Sequence, residues 1–351
     1  MDSNPTPGLV GPPQAAGLPP AARLLLLTSG KRISQVVYVV ARLGIADHLA
    51  AGPAGIAELA EATGTHAEAL SRVLRAATTF ELLAQEADGT YVLTPLSALL
   101  RSDTPDSVRD LVLLNGDEIL WKPYGEILHT VQTGEPAFGK VFGEEFFTYL
   151  KSHPEEEALF GRAMVAMSRV AARSLAATVN AGRFEIVCDV GGGRGHFLGE
   201  VLRLAGDARG ILFDLPAVVA EADGVLAGLG VTDRVKTIGG DFFGEIPAGA
   251  DAYVLKAVLH NWDDERAAKI LRGIGAAMEG NPDARLLIVE NIVGPPNRWD
   301  HAALLDLDMM LRFGGRERDS AQWSALLDAA GLATVHTPRP GTLAVIECVR
   351  R

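Results

Sequence analysis

Cysteine, basic charge and long apolar runs are all scarce in this chain of 351 residues. The two cysteines, Cys188 and Cys348, lie in apolar segments typical of buried strands, so neither a disulfide framework nor a zinc site is indicated. The formal charge of −12 opposes binding to a phosphate backbone, which depends on clustered lysine and arginine. No uninterrupted apolar stretch approaches the roughly 20 residues of a membrane helix. We therefore expect a cytoplasmic protein with neither a nucleic-acid nor a membrane partner.

Apolar residues, by contrast, are plentiful enough for two hydrophobic cores. At 48% hydrophobic and 22% charged residues the composition is globular, and the length predicts an accessory domain beside a catalytic one. Residues 1–20 are rich in proline, glycine and alanine and lack the features of a secretory signal, so we interpret them as a disordered leader. We predict an accessory domain over residues 21–104, a helical linker over 105–183 and a catalytic domain over 184–351.

The accessory domain has the predicted element order of a winged helix. Residues 31–51 carry apolar side chains at helical spacing, two shorter helical patterns follow, and Asp88-Gly89 can turn a hairpin within residues 82–94. A winged helix either binds DNA or serves as a packing and dimerisation module. Between residues 55 and 100 only Arg72 and Arg75 are basic, against six acidic residues. Because this balance repels phosphate, we favour dimerisation.

Residues 105–183 are mostly helical in pattern and contain many aromatic and methionine side chains. We interpret this stretch as the roof of a substrate pocket. Ordinary core packing is the alternative for most of its members, since aromatic residues and methionine fill cores as well. Within this stretch we predict substrate contacts at Trp121, Met164 and Met167.

From residue 184 onward, short β-branched runs alternate with helical patterns. Five runs, within residues 185–190, 210–213, 235–238, 252–258 and 285–289, predict a parallel, doubly wound α/β sheet. An amphipathic helix after the fourth run can begin at Asp263 or Asp264 as its cap. Two closing runs, around residues 333–336 and 342–349, predict a hairpin at the sheet edge.

A glycine-rich string, Asp189-Val-Gly191-Gly-Gly193-Arg-Gly195, stands where the first strand should end and the first helix begin. Glycines there let a ligand approach the backbone and the free N–H groups of the helix N-terminus. A dinucleotide fingerprint would require glycine at position 196 or 198, where the chain has His196 and Leu198. The pattern present instead resembles the first motif of class I S-adenosylmethionine methyltransferases.

Two acidic residues follow the next strands. Asp214 comes after the second run and Asp241, with Phe242, after the third. Ligands of open α/β sheets bind outside the carboxyl ends of the strands, so these side chains converge on one crevice. Asp214 suits the two ribose hydroxyls, and Asp241 with Phe242 suits adenine. Helix capping or turn formation is the alternative role for each acid.

His260 follows the fourth strand, beside the predicted cofactor crevice. A neutral imidazole can accept the proton that a hydroxyl loses during methyl transfer. Glu290, at the end of the fifth strand, and Glu317, in a later loop, can each hold one ring nitrogen. A buried, hydrogen-bonded core histidine is the structural alternative.

Five motifs in order carry a resemblance to a known family: the glycine loop, Phe213-Asp-Leu-Pro216, Gly240-Asp-Phe-Phe243, Leu259-His-Asn-Trp-Asp263 and Gly314-Gly-Arg-Glu317. The chain resembles the plant caffeate and flavonoid O-methyltransferases and their bacterial natural-product relatives. The resemblance implies a class I methyltransferase fold, a winged-helix homodimer and no metal. It also implies His260 as general base flanked by Glu290 and Glu317, with cofactor contacts at Gly191, Asp214, Asp241, Phe242 and Lys256. From the same loops we add Asp189, Gly193 and Leu215 to the predicted cofactor site.

The expected function is therefore S-adenosylmethionine-dependent methylation of a hydroxyl, expected to be phenolic, on a small aromatic natural product. Asn261 stands where plant members commonly carry aspartate, so we include it with Met309 and Phe313 among the substrate contacts. The alternative within the family is a member that keeps the cofactor but supports hydroxylation or decarboxylation of an aromatic polyketide. A nicotinamide-dependent oxidoreductase is disfavoured by His196, and a ligand-sensing transcription factor by the acidic winged helix.

Overall fold

The computed structural model describes residues 18–178, 181–336 and 340–351. The chain divides into two compact units, a first of Met1–Gly125 with Phe147–Ala166 and a second of Glu126–Phe146 with Met167–Arg351. Residues 1–17 of the predicted leader lie outside the described residues, and the first helix begins at Pro20. The division cuts through the predicted helical linker, whose residues are shared between the two units.

The first unit is mainly helical with one small hairpin. Its elements are α1 (Pro20–Leu27), α2 (Gly30–Arg42), α3 (Ile45–Leu49), α4 (Ile56–Thr63), α5 (Ala67–Thr78), β1 (Leu83–Gln85), β2 (Tyr91–Leu93), α6 (Pro95–Ala98), α7 (Arg109–Gly116) and α8 (Glu118–Gly125). After a segment of the second unit, nearly all of α11 (Phe146–Ser152) and the first half of α12 (Pro154–Thr178) complete it.

The winged-helix element order is present in α4, α5 and the antiparallel pair β1–β2. At the hairpin turn the Asp88 side chain accepts a hydrogen bond from the Thr90 N–H, and Gly89 has a φ of +90°. The prediction of a single helix over residues 31–51 is wrong, because this helical segment is divided into α2 and α3. Gly44 lies between them at a φ of +64°, a left-handed conformation that ends a right-handed helix.

One segment of the first unit is long and apolar enough to cross a membrane by length and composition. It spans Pro20–Arg42, has a mean hydropathy of 1.2 and is 11% buried. Charged residues interrupt it at Arg23, Lys31 and Arg32, and α2 buries Val40 and Ala41 in the core of the unit. A single segment of this kind near the N-terminus is weak evidence for a membrane span.

The second unit contains the α/β sheet. Its helices are α9 (Ile127–Thr133), α10 (Ala137–Phe142), the second half of α12, α13 (His196–Leu204), α14 (Pro216–Val219), α15 (Ala222–Gly228), α16 (Asp264–Ala277), α17 (His301–Arg312) and α18 (Ser320–Ala329). Its strands are β3 (Ile186–Val190), β4 (Arg209–Asp214), β5 (Val235–Gly239), β6 (Ala252–Lys256), β7 (Arg285–Val293), β8 (Arg318–Asp319), β9 (Leu332–His336) and β10 (Gly341–Arg350).

The strand order of the sheet is β5-β4-β3-β6-β7-β10-β9, and the two-residue β8 pairs with the end of β7. The five strands from β5 to β7 are parallel, as predicted. The closing hairpin is also present, since β9 and β10 pair antiparallel. The sheet is nevertheless mixed, because β10 continues past the hairpin and pairs antiparallel with β7, leaving β9 at the edge.

Both faces of this sheet are covered, as a doubly wound fold requires. Tyr253 and Leu255 of β6 pack into one hydrophobic cluster with α16 and α18, whereas Ala252 and Val254 pack into another with α13. Asp263 caps α16 by accepting the N–H of Arg266, which confirms the predicted start of that helix. We therefore expect a functional site at the carboxyl ends of the five adjacent parallel strands.

Candidate active site

The loop after β3 is held in a conformation that only glycine adopts easily. Gly191 and Gly193 have φ values of +73° and +60°. The N–H of Gly191 donates to the carbonyl of Phe213 at 2.8 Å, and the N–H of Gly193 donates to Oδ2 of Asp214 at 2.8 Å. These two hydrogen bonds connect the loop after β3 to the end of β4.

Asp214 uses both carboxylate oxygens to fix the loops around it. Oδ2 accepts from Gly193 and Oδ1 accepts from the N–H of Leu215, whose own side chain is exposed. A carboxylate offers about four acceptor positions, so two remain for further donors such as vicinal hydroxyls.

Asp189 is placed differently from the other predicted cofactor residues, because it is buried at the end of β3. Burial raises its pKa to about 7, against a lowering effect of Lys256. A Cβ on Gly192 would lie 2.6 Å from its Oδ2, so the carboxylate packs directly against the loop backbone. Its position supports the shape of the loop, and a direct cofactor contact stays a prediction.

Lys256, at the end of β6, is half-buried and interacts electrostatically with Asp189. Burial lowers its pKa, while Asp189 and Glu290 oppose that shift. Its Nζ donates to Oγ of Ser168 in the second half of α12 at 3.2 Å. Sequence reasoning missed Ser168, since a serine within a helix carries no distinguishing pattern.

Asp241 and Phe242 follow β5 at the same edge of the sheet. Oδ1 of the exposed Asp241 accepts from the N–H of Phe243 at 2.8 Å. The half-buried ring of Phe242 meets Phe243 edge-on at a centroid distance of 5.0 Å and Trp262 at 6.1 Å. The pair therefore combines an acceptor with an aromatic wall.

His260 lies in a 3-10 turn, Leu259–Asn261, just beyond β6. The chain enters this turn through Ala257, which has an unusual φ of +54°. The ring atom Nδ1 lies 2.8 Å from Oε1 of Glu317 and 3.4 Å from Oε2 of Glu290. In the neutral tautomer with its proton on Nδ1, the ring donates to Glu317 and Nε2 is an acceptor.

The charges around His260 compete with its burial. Burial lowers the pKa of the imidazole, but Glu290 and Glu317 together outweigh this effect and the net pKa is raised. Burial also raises the pKa of Glu290, against the opposing effect of His260 and with support from Glu317. An imidazolium formed at this site is therefore stabilised by its neighbours.

Backbone groups hold both glutamates in place. Oε1 of Glu290 accepts from the N–H groups of Val258 and Leu259, each at 2.9 Å, so a side chain of β7 holds the turn that carries His260. Glu290 was predicted to end this strand, but the strand continues to Val293. The N–H of Glu317 donates to Asp306 in α17 at 2.7 Å. These contacts bring together the three residues that were predicted to be catalytic.

Arg318 is a second residue whose role was not predicted, although it follows Glu317 directly. Its side chain is fully buried and donates to the carbonyls of Leu259 and Trp262 at 3.0 and 2.9 Å. It also pairs with Asp264 at 2.8 Å. A single guanidinium thus fastens the backbone on both sides of His260.

Comparison with known proteins decides the family. Residues 124–333 match the O-methyltransferase domain, and residues 25–103 match the O-methyltransferase dimerisation domain. This chain is an S-adenosylmethionine-dependent O-methyltransferase family member. The match to the dimerisation domain also confirms the interpretation of the winged helix as a dimerisation module.

Individual relatives of this methyltransferase align over almost their whole length. The phenazine O-methyltransferase of Lysobacter antibioticus is 39% identical over 95% of this chain and 97% of its own. The 8-amino-8-demethylriboflavin N,N-dimethyltransferase of Streptomyces davaonensis is 38% identical, covering 93% and 95%. A methyltransferase of calicheamicin biosynthesis, solved with S-adenosylhomocysteine bound, has a TM-score of 0.85 at 34% identity, covering 94% and 98%. The family thus includes enzymes that methylate nitrogen as well as oxygen.

The predicted substrate residues of the methyltransferase are divided between the two units. Trp121 and Met164 lie in the first unit, whereas Met167, Asn261, Met309 and Phe313 lie in the second. Met167 packs against the sheet core, and Met309 is buried. The Phe313 ring meets Phe146 edge-on at 5.1 Å. Substrate contact stays a prediction for all six.

His260, Glu290 and Glu317 also satisfy the distance requirement of a metal site, with one ligand atom from each within 4.8 Å of the others. The 2.8 Å separation of Nδ1 and Oε1 of Glu317 is also an ordinary hydrogen-bond length, so this contact needs no ion. The absence of a metal stays an expectation.

Proposed function

We propose that this methyltransferase transfers the methyl group of S-adenosylmethionine to a phenolic hydroxyl of a small aromatic natural product, with His260 as general base. The observation that carries the proposal is the hydrogen bond from Nδ1 of His260 to Glu317, which leaves Nε2 as an acceptor. The names of similar proteins, which include a phenazine O-methyltransferase, support an aromatic substrate.

The strand ends of the second unit fit the cofactor. Gly191 and Gly193 allow close approach to the backbone, and Asp214 retains acceptor positions for ribose hydroxyls. Asp241 and Phe242 suit the polar edge and the flat face of adenine. Lys256, Leu215 and the supporting Asp189 complete the cofactor residues that we propose.

The proposed reaction is an in-line displacement in which the protein moves one proton. The bound cofactor supplies an electrophilic methyl group on a positively charged sulfur. The substrate hydroxyl loses its proton to Nε2 of His260 as its oxygen forms a bond to the methyl carbon and the carbon–sulfur bond breaks. Glu317 and Glu290 stabilise the resulting imidazolium, because both carboxylates lie within 3.4 Å of Nδ1. Phenols titrate near pH 10, so removing the proton during the displacement helps at neutral pH.

The proposal is tested by mass spectrometry of the purified enzyme with S-adenosylmethionine and matched pairs of phenols and arylamines. We expect a gain of one methyl on the phenols, with one S-adenosylhomocysteine formed per product. Methylation of the arylamines alone would place the enzyme with the N-methyltransferases. A gain of one oxygen, or loss of carbon dioxide, would instead establish the alternative in which the bound cofactor supports hydroxylation or decarboxylation.

The Asp214→Asn variant is expected to bind S-adenosylmethionine about 10- to 100-fold more weakly, since charged hydrogen bonds contribute about 1.5–3 kcal/mol each. The amide loses the charge and one of the two acceptor oxygens. Titration calorimetry measures the change, and Asp233→Asn, on an exposed turn, is the matched control. Equal affinity in the variant and the wild type would remove Asp214 from the cofactor site.

Two further features follow from the family. We propose a homodimer formed through the first unit, which matches the dimerisation domain. We also propose an enzyme of secondary metabolism, which the names of the bacterial relatives support. We propose that it acts in the cytoplasm.

A further inference from the structure

Asn291 follows Glu290 on β7, is only 5% exposed and has no role in the proposed mechanism. Its Nδ2 donates to Oε1 of Glu317 at 2.9 Å, and its Oδ1 accepts from the N–H of Leu343 at 3.1 Å. The orientation of the amide is fixed by these two partners. A rotated amide would place an oxygen against the Glu317 carboxylate and an NH₂ group against the Leu343 N–H.

A β-bulge in β10 presents the backbone N–H that donates to Oδ1 of Asn291. Gly341 pairs with Ile292 and Ala344 pairs with Glu290, so two residues of β10 stand opposite Asn291 alone. Leu343, one of the two, has a φ of +50° and turns its N–H to the Asn291 side chain. A bulge bends the strand that carries it, so the backbone of β10 is displaced locally where it meets the Asn291 side chain.

The contact with Asn291 is made at the oxygen of Glu317 that also faces the catalytic histidine. Oε1 of Glu317 accepts from both Nδ1 of His260 and Nδ2 of Asn291. Within the described residues, Oε2 of Glu317 accepts no hydrogen bond, so the carboxylate is oriented through Oε1. Donation to a carboxylate stabilises its charged form, and a fixed amide limits its rotation.

We propose that Asn291 is a positioning residue that keeps the Glu317 carboxylate aimed at Nδ1 of His260, and thereby keeps Nε2 as the base. This inference rests on the proposed role of His260. The two carboxylates beside the imidazole are held by different groups. Oε1 of Glu290 accepts from the backbone N–H groups of Val258 and Leu259. Oε1 of Glu317 accepts instead from the Asn291 side chain, so the orientation of this carboxylate depends on that amide.

The test is a double-mutant cycle with Asn291→Leu, which removes the amide at similar volume without adding a charge. We expect kcat to fall roughly 10- to 100-fold, with KM for both substrates within about twofold of the wild type. Combining it with Glu317→Gln is expected to cost no more than Glu317→Gln alone, because Asn291 acts through that carboxylate. Additive losses would overturn the proposal.

Two variants separate positioning from a purely structural role at the bulge. Asn291→Asp keeps an acceptor for Leu343 but replaces the donor with an oxygen, so at pH 8 it is expected to be as slow as the leucine variant. Wild-type kcat in Asn291→Asp would mean that only the bulge needs the amide. Asn281→Leu is the matched control, since Asn281 also bridges a carboxylate, Asp251, and a backbone N–H, that of Asp283.

The outcomes also separate this inference from the proposed function. Loss of activity in His260→Ala with full activity in Asn291→Leu would contradict the role of Asn291 alone. Full activity in His260→Ala would contradict the general base itself. Melting temperatures of the variants identify any loss that arises from unfolding, and the cycle is then read from those that remain folded at the assay temperature.

Discussion

The His260→Ala variant is expected to lower kcat by about 100- to 10,000-fold, the usual contribution of a general base. Among the described residues, His260 is the one imidazole that Glu290 and Glu317 hold. Without it, the substrate hydroxyl would have to lose its proton to water. Affinity for S-adenosylmethionine should remain near that of the wild type, because the proposed cofactor contacts are made by other side chains and by the loops after β3, β4 and β5. Single-turnover rates and calorimetry measure the two quantities separately.

His48→Ala provides the control, because His48 is exposed in α3 of the first unit and is expected to leave kcat unchanged. If His260→Ala kept more than about a third of the wild-type kcat, the general-base assignment would be wrong. Weakened cofactor binding without a change in kcat at saturation would instead assign His260 to the cofactor site.

The pH dependence of the wild-type enzyme checks the same base. Burial lowers the pKa of His260, but Glu290 and Glu317 together raise it by more than burial lowers it. The net pKa therefore lies above the ordinary value. Catalysis requires the neutral imidazole, so kcat should be low in acid and rise as the pH passes through this raised pKa. The acid limb is therefore expected above about pH 6.5, the unperturbed histidine value.

Much of the candidate site could be predicted from the sequence because the position of its residues depends on the order of the strands along the chain. In a parallel sheet, residues that follow successive strands gather at one edge. Asp214, Asp241 and His260 each follow a parallel strand, so recognising the strands was enough to place them together. Glu317 was placed by the family motif rather than by strand order.

The supporting residues could not be predicted in this way. Arg318 and Asn291 act through side-chain contacts with groups 26 to 59 residues away in the chain, which local patterns do not encode. The mixed sheet was also missed in part, because apolar alternation in β10 does not reveal which strand it will pair with. Ala257 gave no signal at all, since its positive φ is imposed by the strand and turn around it.

The prediction of substrate contacts was limited by a different ambiguity. A methionine or phenylalanine at helical spacing is compatible with a core and with a pocket wall alike. Met167 illustrates the problem, because it packs against the sheet core. The identity of the acceptor is consequently better approached by testing compounds than by reading side chains.

The Gly315→Ala variant is expected to lower kcat by about 100-fold or more without any change to a chemically reactive group. Gly315 lies between α17 and Glu317, where the chain passes directly over the turn that carries His260. An added Cβ would overlap the carbonyl oxygen of His260 and lie 2.7 Å from the carbonyl carbon of Asn261. Backbone cannot yield as a flexible side chain can, so the loop itself must move.

That movement would affect the catalytic carboxylate first. The N–H of Arg316 donates to the carbonyl of His260 at 2.9 Å, and Glu317 is the next residue along the chain. Lifting the loop stretches this bond and the 2.8 Å contact between Glu317 and Nδ1 of His260 together. Gly275→Ala is the matched control, since an added Cβ in α16 meets nothing within 4 Å and alanine favours the helix. Wild-type kcat in Gly315→Ala would show that the imidazole works without a fixed Glu317, whereas a loss of kcat with unchanged cofactor affinity would show that close backbone contact at this glycine sets the geometry of the base.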